Sequence, residues 1–374
     1  MKVVVDALAA SSGGGVTYLR SILAQALDAD PSLEIVLVVA RSDSFDVLAD
    51  HPRVRILSPL GPSPSLVRRL TWEAAVLPRE ARQLGGDVLF SPSEIAPLRS
   101  GLPVVLGLQN PNLYERPVRY ASPLQELRLR LLLLAARASA RRAAALVFVS
   151  EPFRRRAAPA LASRAPVFVA EPPLDTVFRE PRPDQLGRFA SLRPYILSVS
   201  DFYPYKNFTV LVDAFDLLQR DDLRLIIAGR PVDRHSHEQT RQRIRELGLG
   251  KRVLLTGAVQ LAEMPSLYAG AECFVFPSLL ESYGFPPFEA MACSTPVVTS
   301  DASVMPELIG DAAAYVNARE ARAIAAEVTR VLDNCEYADA LRERGLQRVA
   351  RMGASVGAEA LLNAFRLARA TADT

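Results

Sequence analysis

The stretch FVFPSLLESYGFPPFEAMACSTPVV, residues 274–298, sets an apolar strand ending at Pro277 against a helix opening at Pro286 or Pro287, with a short acidic loop between them. The fixed φ of proline suits the first turn of a helix, and Gly284 permits a tight backbone path into it. Glu281 falls in the loop, and Glu289, eight positions on, is expected within the first helical turn. Both carboxylates are thereby expected at the carboxyl end of a buried strand, where ligands collect in open parallel sheets. A carboxylate accepts paired hydrogen bonds from vicinal hydroxyls, so one acid per sugar ring is sensible chemistry. Taken alone, the same residues also fit a helix-dipole partner at Glu289 and a solvated loop acid at Glu281.

Outward from this stretch, apolar runs alternate with helical patterns. Upstream and downstream lie Tyr195 to Val199, Leu223 to Ala228, Val253 to Thr256, Cys273 to Phe276, Pro296 to Thr299 and Ala313 to Val316. An earlier series runs through Lys2 to Asp6, Glu34 to Ala40, Arg53 to Leu57, Asp87 to Phe90, Pro103 to Leu108 and Ala145 to Val149. Such alternation marks parallel sheets covered on both faces, an α/β class. The proline-rich segment between Glu171 and Pro194 breaks the pattern and reads as a linker. The chain is therefore read as a first domain over residues 1–172 and a second over 173–355. A last amphipathic helix, 356–374, is a candidate to pack back on the first domain.

The length of 374 residues suits two cores. With 49% hydrophobic and 23% charged residues, the composition is that of an ordinary globular enzyme rather than a disordered or fibrous chain. Three cysteines without Cys-x-x-Cys spacing fit a reducing cytoplasm. The N-terminal apolar run is cut at Asp6 and reads as a strand, not a leader. No apolar run approaches the roughly 18 residues that span a bilayer. Ten arginines against two acids lie between Arg116 and Arg156, which makes an anionic membrane surface, and no nucleic acid, the expected partner of that region.

Two further loops carry chemistry. After the first strand, Gly13, Gly14 and Gly15 lead into a helix beginning near Val16, and glycine lets amides approach a phosphate. The sequence there is neither Gly-x-Gly-x-x-Gly nor a Walker loop, and it fits a mobile turn equally well. After Val199, Lys206 and Asn207 stand where a helix starts. Lysine is used only three times against 41 arginines, and its ammonium beside helix amides suits an anion.

From Tyr195 to Leu308, about 110 residues, the chain resembles the donor domain of the retaining GT4-type glycosyltransferases with the GT-B fold, glycosyl transferases group 1. Glu281 and Glu289 match the Glu-x7-Glu mark of that family. The motifs KN at Lys206, IAG ending at Gly229, LLTGAV at Leu254 to Val259 and PEL at Pro306 follow in the right order. The resemblance implies two Rossmann-like domains with parallel sheets facing each other across a cleft. It implies a UDP- or GDP-sugar donor and a saccharide acceptor, with a lipid-linked one as a candidate, in bacterial surface polysaccharide synthesis. By the likeness, Glu281 would contact the sugar near the reacting carbon, Lys206 would neutralise the leaving diphosphate, and Glu289 would hold the ribose hydroxyls. Asn207 and the backbone of Ser282, Tyr283, Gly284 and Phe285 would bind sugar and phosphate oxygens. Gly257 to Val259 would line the base pocket, and Gly13 to Gly15 would complete the phosphate site. No metal or cofactor and no protein nucleophile is implied. The implied setting is cytoplasmic, with peripheral contact on the inner face of the plasma membrane.

Several residues depart from the pattern. Ser200-Asp201 replaces the usual Gly-Arg, which leaves Arg230 as a guess at a second cation. Gln109 and Asn110 stand where a sugar-contacting histidine is common; amides bond hydroxyls but carry no proton. Ser294 stands where glycine is usual. Asp28-Ala29-Asp30 spells a metal motif in what reads as a polar turn, and His235 and His237 read as exposed loop. Leu124, Leu127, Leu131 and Leu134 share one helical face, which fits either packing into the first domain or a lean on anionic lipid. Two alternatives remain: a nucleotide-sugar epimerase of the same fold, and a catalytically inactive nucleotide-sugar binding protein.

Overall fold

The structure is a computed structural model, and it describes residues 1–10, 13–62, 64–118, 123–181, 186–352 and 356–371. The chain divides into one compact unit of residues 1–116, 120–173 and 353–374, and a second of residues 117–119 and 174–352.

The first unit is built on seven strands, β1 (Lys2–Ala7), β2 (Glu34–Val39), β3 (Val54–Leu57), β4 (Val88–Ser91), β5 (Val104–Leu108), β6 (Ala145–Phe148) and β7 (Val167–Val169). They pair in parallel in the order β3-β2-β1-β4-β5-β6-β7. The runs VVVDA, IVLVV, VLFS and VVLGL are buried along their length, because helices cover both faces of a parallel sheet. The sequence pattern misses β7, a three-residue edge strand that is only partly covered and carries too short a run to stand out.

The second unit holds β8 (Tyr195–Val199), β9 (Arg224–Ala228), β10 (Val253–Gly257), β11 (Cys273–Phe276), β12 (Val297–Ser300) and β13 (Ala314–Val316). Its order is β10-β9-β8-β11-β12-β13, again parallel. In each unit the order reverses once, beside β1 and β4 in the first and beside β8 and β11 in the second. At such a switch point the chain leaves neighbouring strands in opposite directions and opens a crevice at their carboxyl ends.

Helix Val356–Ala370 belongs to the first unit and packs against helix Gly14–Ala29 and strands β4 to β7. Phe365 meets Phe90 of β4 edge to face at 5.4 Å, and Arg366 reaches Asp30 at 3.1 Å. At Gly357 a Cβ would stand 1.9 Å from the Glu171 carbonyl oxygen, so only glycine lets the helix approach that backbone.

Helix Pro123–Ala140 turns out opposite to a simple packing of its leucine face. It buries Leu129, Ala136, Ser139 and Ala140, while Leu124, Leu127, Leu131 and Leu134 are 77%, 53%, 58% and 57% exposed. Small residues let the helix sit close to the body of the unit, and the leucine stripe points to solvent. Among the described residues, no helix is long and apolar enough to cross a membrane.

Candidate active site

The switch point of the second unit gathers the chemistry. β8 and β11 are neighbours, with Ile196 opposite Cys273 and Leu197 opposite Phe274. The loop after β8 closes in a one-turn helix at Pro204–Lys206, and the loop after β11 runs to Gly284. The Leu279 amide donates to the Tyr205 carbonyl at 2.8 Å, joining the two loops. Tyr205, Leu279, Leu280 and Ala318 form a small apolar cluster beneath the join.

Across that join Lys206 Nζ meets Glu281 Oε1 at 2.5 Å, with each side chain only 11% exposed. The ammonium also lies 5.3 Å from the Tyr205 ring centre and 5.2 Å from that of Phe276, so aromatic faces supply part of its solvation. An ammonium has three donors, and one bond to Glu281 leaves two for an incoming anion. Glu281 is fixed from behind: its amide donates to Ser303 Oγ at 3.1 Å, and that hydroxyl returns a bond to the Glu281 carbonyl at 3.0 Å. Ser303 carried no sequence signal.

Asn207 adopts a left-handed conformation, φ 62°, and its side-chain amide donates to the Ala318 carbonyl at 2.5 Å. No side chain caps helix Phe208–Leu217, whose first amides therefore open toward the same end of the sheet. Gly284, φ 83°, stands before helix Phe285–Ala292 and likewise offers no side-chain cap. A Cβ there would stand 2.9 Å from the Met305 side chain and 3.7 Å from Glu281 Cγ. Ser282 and the buried Tyr283 lie between Glu281 and Gly284, and the Tyr283 ring packs on Phe285 and Phe288.

Glu289 differs from expectation. The helix opens at Phe285, ahead of the prolines, so Glu289 is its fifth residue and lies one past the first turn. Its carboxylate is buried and accepts the Tyr268 hydroxyl at 2.6 Å. Burial first, then the Glu289 charge, raises the Tyr268 phenol well above its ordinary range. Gly257, φ 68°, ends β10 and accepts the Gly229 amide at 2.9 Å through its carbonyl, and the half-buried Val259 stands two positions on.

Arg230 is already engaged. Its guanidinium forks onto both carboxylate oxygens of Asp201, and its amide also bonds Asp201 Oδ1 at 3.0 Å. The departure at Ser200-Asp201 thus brings an acid that occupies the nearest arginine. Ser294 sits at φ 60° just past helix Phe285–Ala292, a left-handed position where glycine carries no strain. His235 and His237 lie in the first turn of helix Arg234–Glu246, not in a loop, and the half-buried His237 ring meets Phe202 edge to face at 4.7 Å. Asp30 caps helix Gly14–Ala29 and bonds Ser32 and Arg366. Among the described residues no group of three or more His, Cys, Asp or Glu is placed so that it could hold a metal ion.

In the first unit, helix Gly14–Ala29 opens two residues earlier than the sequence suggests. Gly13, φ 65°, precedes it, Gly14 and Gly15 are helical, and the Gly13 carbonyl accepts the amides of Val16 and Thr17. A Cβ on Gly15 would lie 3.8 Å from Gln109 Oε1, so the glycine loop after β1 and the amide after β5 share one end of the sheet. Gln109 Nε2 donates to the Pro92 carbonyl at 3.1 Å, and Asn110 Oδ1 accepts the Asn112 amide at 3.1 Å.

Residues 185–348 match the family described as glycosyl transferases group 1. Among curated proteins, the chain is 29% identical over 177 residues to O-antigen chain mannosyltransferase B of Escherichia coli, 46% of each. It is 33% identical over 123 residues to O-antigen chain mannosyltransferase RfbU of Salmonella typhimurium, 33% of this chain and 34% of that one. The matches thus span less than half of these relatives. Among solved structures, sucrose-phosphate synthase of Thermosynechococcus elongatus aligns with a TM-score of 0.80 at 20% identity, over 98% of both chains. HepE of Anabaena, solved with UDP-glucose, aligns at 0.76 and 18% identity over 100% of this chain and 99% of that one. At such identities the likeness is one of fold, two Rossmann-like units of the GT-B class.

Proposed function

Because residues 185–348 of this chain match the glycosyl transferases group 1 family, we propose that it transfers a sugar, with retention, from a UDP- or GDP-sugar to a saccharide acceptor in surface polysaccharide synthesis. The observation that carries the reading is the ion pair Lys206–Glu281 across the switch point of β8 and β11. An arriving diphosphate takes the free donors of Lys206 and the open amides at Gly284, Phe285 and the head of helix Phe208–Leu217. Charge growing on the leaving diphosphate is met by groups already in position, the usual source of most rate enhancement. Glu281, released in part from Lys206, faces the sugar near the reacting carbon, and Glu289 holds the ribose. The lysine and the helix amides supply the positive charge, so we propose that no metal is needed and that activity survives chelator.

The relatives named as mannosyltransferases and the UDP-glucose of HepE favour GDP-mannose and UDP-glucose as first donors to test. One of them is expected to raise the melting temperature; saturation at a hundred times Kd contributes about 2.7 kcal/mol. Slow hydrolysis of that donor is expected to vanish in Glu281→Ala. A donor epimerised without acceptor would replace transfer by isomerisation. Binding with no turnover on any acceptor would leave an inactive binding protein.

We also propose that the leucine face of helix Pro123–Ala140 rests on an anionic lipid surface, which suits a lipid-linked acceptor on the inner face of the membrane. Leu124, Leu127, Leu131 and Leu134 stand exposed beside the exposed Arg128 and Arg130, and the exposed Arg141 and Arg142 follow directly after the helix ends. Leucines can enter the acyl boundary while arginines meet lipid phosphates. Each such arginine is worth about 1 kcal/mol near an anionic leaflet. Arg128→Glu with Arg130→Glu is then expected to weaken sedimentation with phosphatidylglycerol vesicles by at least about 30-fold, and Leu127→Glu with Leu131→Glu to abolish it. Equal binding to pure phosphatidylcholine, or self-association through this face without vesicle binding, would refute the proposal.

A further inference from the structure

A buried acid in the first unit stands between the glycine loop expected at the phosphates and the turn expected to meet a sugar. Glu94 follows β4, whose neighbours are β1 on one side and β5 on the other. It is therefore flanked by the glycine loop after β1 and the Gln109-Asn110 turn after β5. Its side chain is directed to the second of these. One oxygen, Oε1, accepts the backbone amides of both Gln109 and Asn110, each at 2.5 Å. The Glu94 amide in turn donates to the Gly107 carbonyl at 3.1 Å. The two segments are in backbone contact, since a Cβ on Gly107 would stand 2.6 Å from Pro92 Cα.

This arrangement opposes local preference twice. Glu94 is only 6% exposed, and burying a carboxylate is unfavourable unless its lone pairs are met. Its backbone lies at φ 62°, a left-handed conformation unfavourable for a residue that carries a side chain. Strain of this kind persists where surrounding structure enforces it, and such positions cluster at ligand sites. Burial pushes the carboxyl up to about 7 against the pull of the two amides. The Tyr114 hydroxyl nearby is buried and, among the described residues, has no hydrogen-bond partner; its pKa is raised by burial and then by the Glu94 charge.

We propose that Glu94 is a positioning residue for sugar binding: through Oε1 it fixes the Gln109-Asn110 backbone so that the Gln109 amide stands beside Gly15. The inference rests on the glycosyl-transfer reading, because Gln109 and Asn110 matter only if a sugar is bound. Glu94 acts through Gln109 and Asn110 and touches no reacting atom.

The test compares Glu94→Ala and Glu94→Gln by hydrogen exchange and by titration calorimetry with GDP-mannose, UDP-glucose, GDP and UDP. In Glu94→Ala, exchange over residues 107–112 is expected to quicken at least tenfold. Affinity for the nucleotide sugar is expected to fall about tenfold, while affinity for the matching nucleoside diphosphate stays within twofold. Glutamine keeps an Oε1 able to accept both amides and is expected to restore protection and sugar affinity to within about threefold. General unfolding would instead weaken both ligands alike, and that outcome overturns the proposal. So does a loosened turn with unchanged sugar affinity, or unchanged exchange. If the wild-type protein binds none of the four nucleotides, the glycosyl-transfer reading itself falls and the positioning role falls with it; wild-type binding with an unaffected Glu94→Ala removes the positioning role alone.

Discussion

Lys206→Ala is expected to lower turnover of the nucleotide sugar by about 10²–10³-fold, the usual loss when one preorganised group facing developing charge is removed. The size follows from the surroundings. Lys206 and Glu281 are each 11% exposed, and the ammonium lies close to both the Tyr205 and Phe276 rings, so its charge acts through little water. Removing it also leaves Glu281 buried without its counter-charge. Breaking a fully buried pair costs about 3–5 kcal/mol, and with the small residual exposure we expect about 2 kcal/mol here. Glu281→Gln in the same chain is expected to recover most of that stability and none of the turnover. Turnover in Lys206→Ala within tenfold of wild type would remove the lysine from the mechanism. The matching checks are steady-state hydrolysis and thermal unfolding on the two variants and their combination.

Gly229→Ala is expected to destabilise the second unit by about 3 kcal/mol or more, at the upper end of what overpacking does. A Cβ at Gly229 would stand 1.8 Å from the Ser200 carbonyl oxygen, 2.4 Å from its carbon and 3.0 Å from the Asp201 amide nitrogen. All three are backbone atoms held in turn: the Ser200 amide donates to Ala228, the Phe202 amide to Arg230 and the Gly229 amide to Gly257. No rotamer change relieves the clash. The segment that would have to move continues into the turn carrying Lys206, so nucleotide-sugar affinity is expected to fall together with stability. Gly250→Ala is the control, since nothing lies within 4 Å of a Cβ there, and about 1 kcal/mol or less is expected. Urea unfolding of the two variants decides it. Equal midpoints would mean that the loops after β8 and β9 yield easily.

Residue type and local period carry much of this protein without any tertiary information. The buried runs of β1, β2, β4, β5, β8, β9 and β11 are apolar enough to be read directly, as are Glu281 in a loop after a strand, Lys206 before a helix and the glycines ahead of helix Gly14–Ala29. These depend on neighbours a few positions away, which the sequence states outright. What it could not state is which distant segments share a strand edge. Lys206 and Glu281 are 75 positions apart, and they bond because β8 lies beside β11. Glu94 looks like one acid in the loop-like stretch FSPSEIAP until β4 is paired with β5 and its oxygen finds the amides of Gln109 and Asn110. Helical spacing puts four leucines of helix Pro123–Ala140 on one face, but only the burial of Leu129, Ala136, Ser139 and Ala140 determines that this face turns outward. Arg230 reads as a spare cation until Asp201 is seen to hold it. The division has one physical cause: propensity and periodicity are short-range and written in the chain, whereas pairing and burial depend on strand order and packing, which long-range contacts decide.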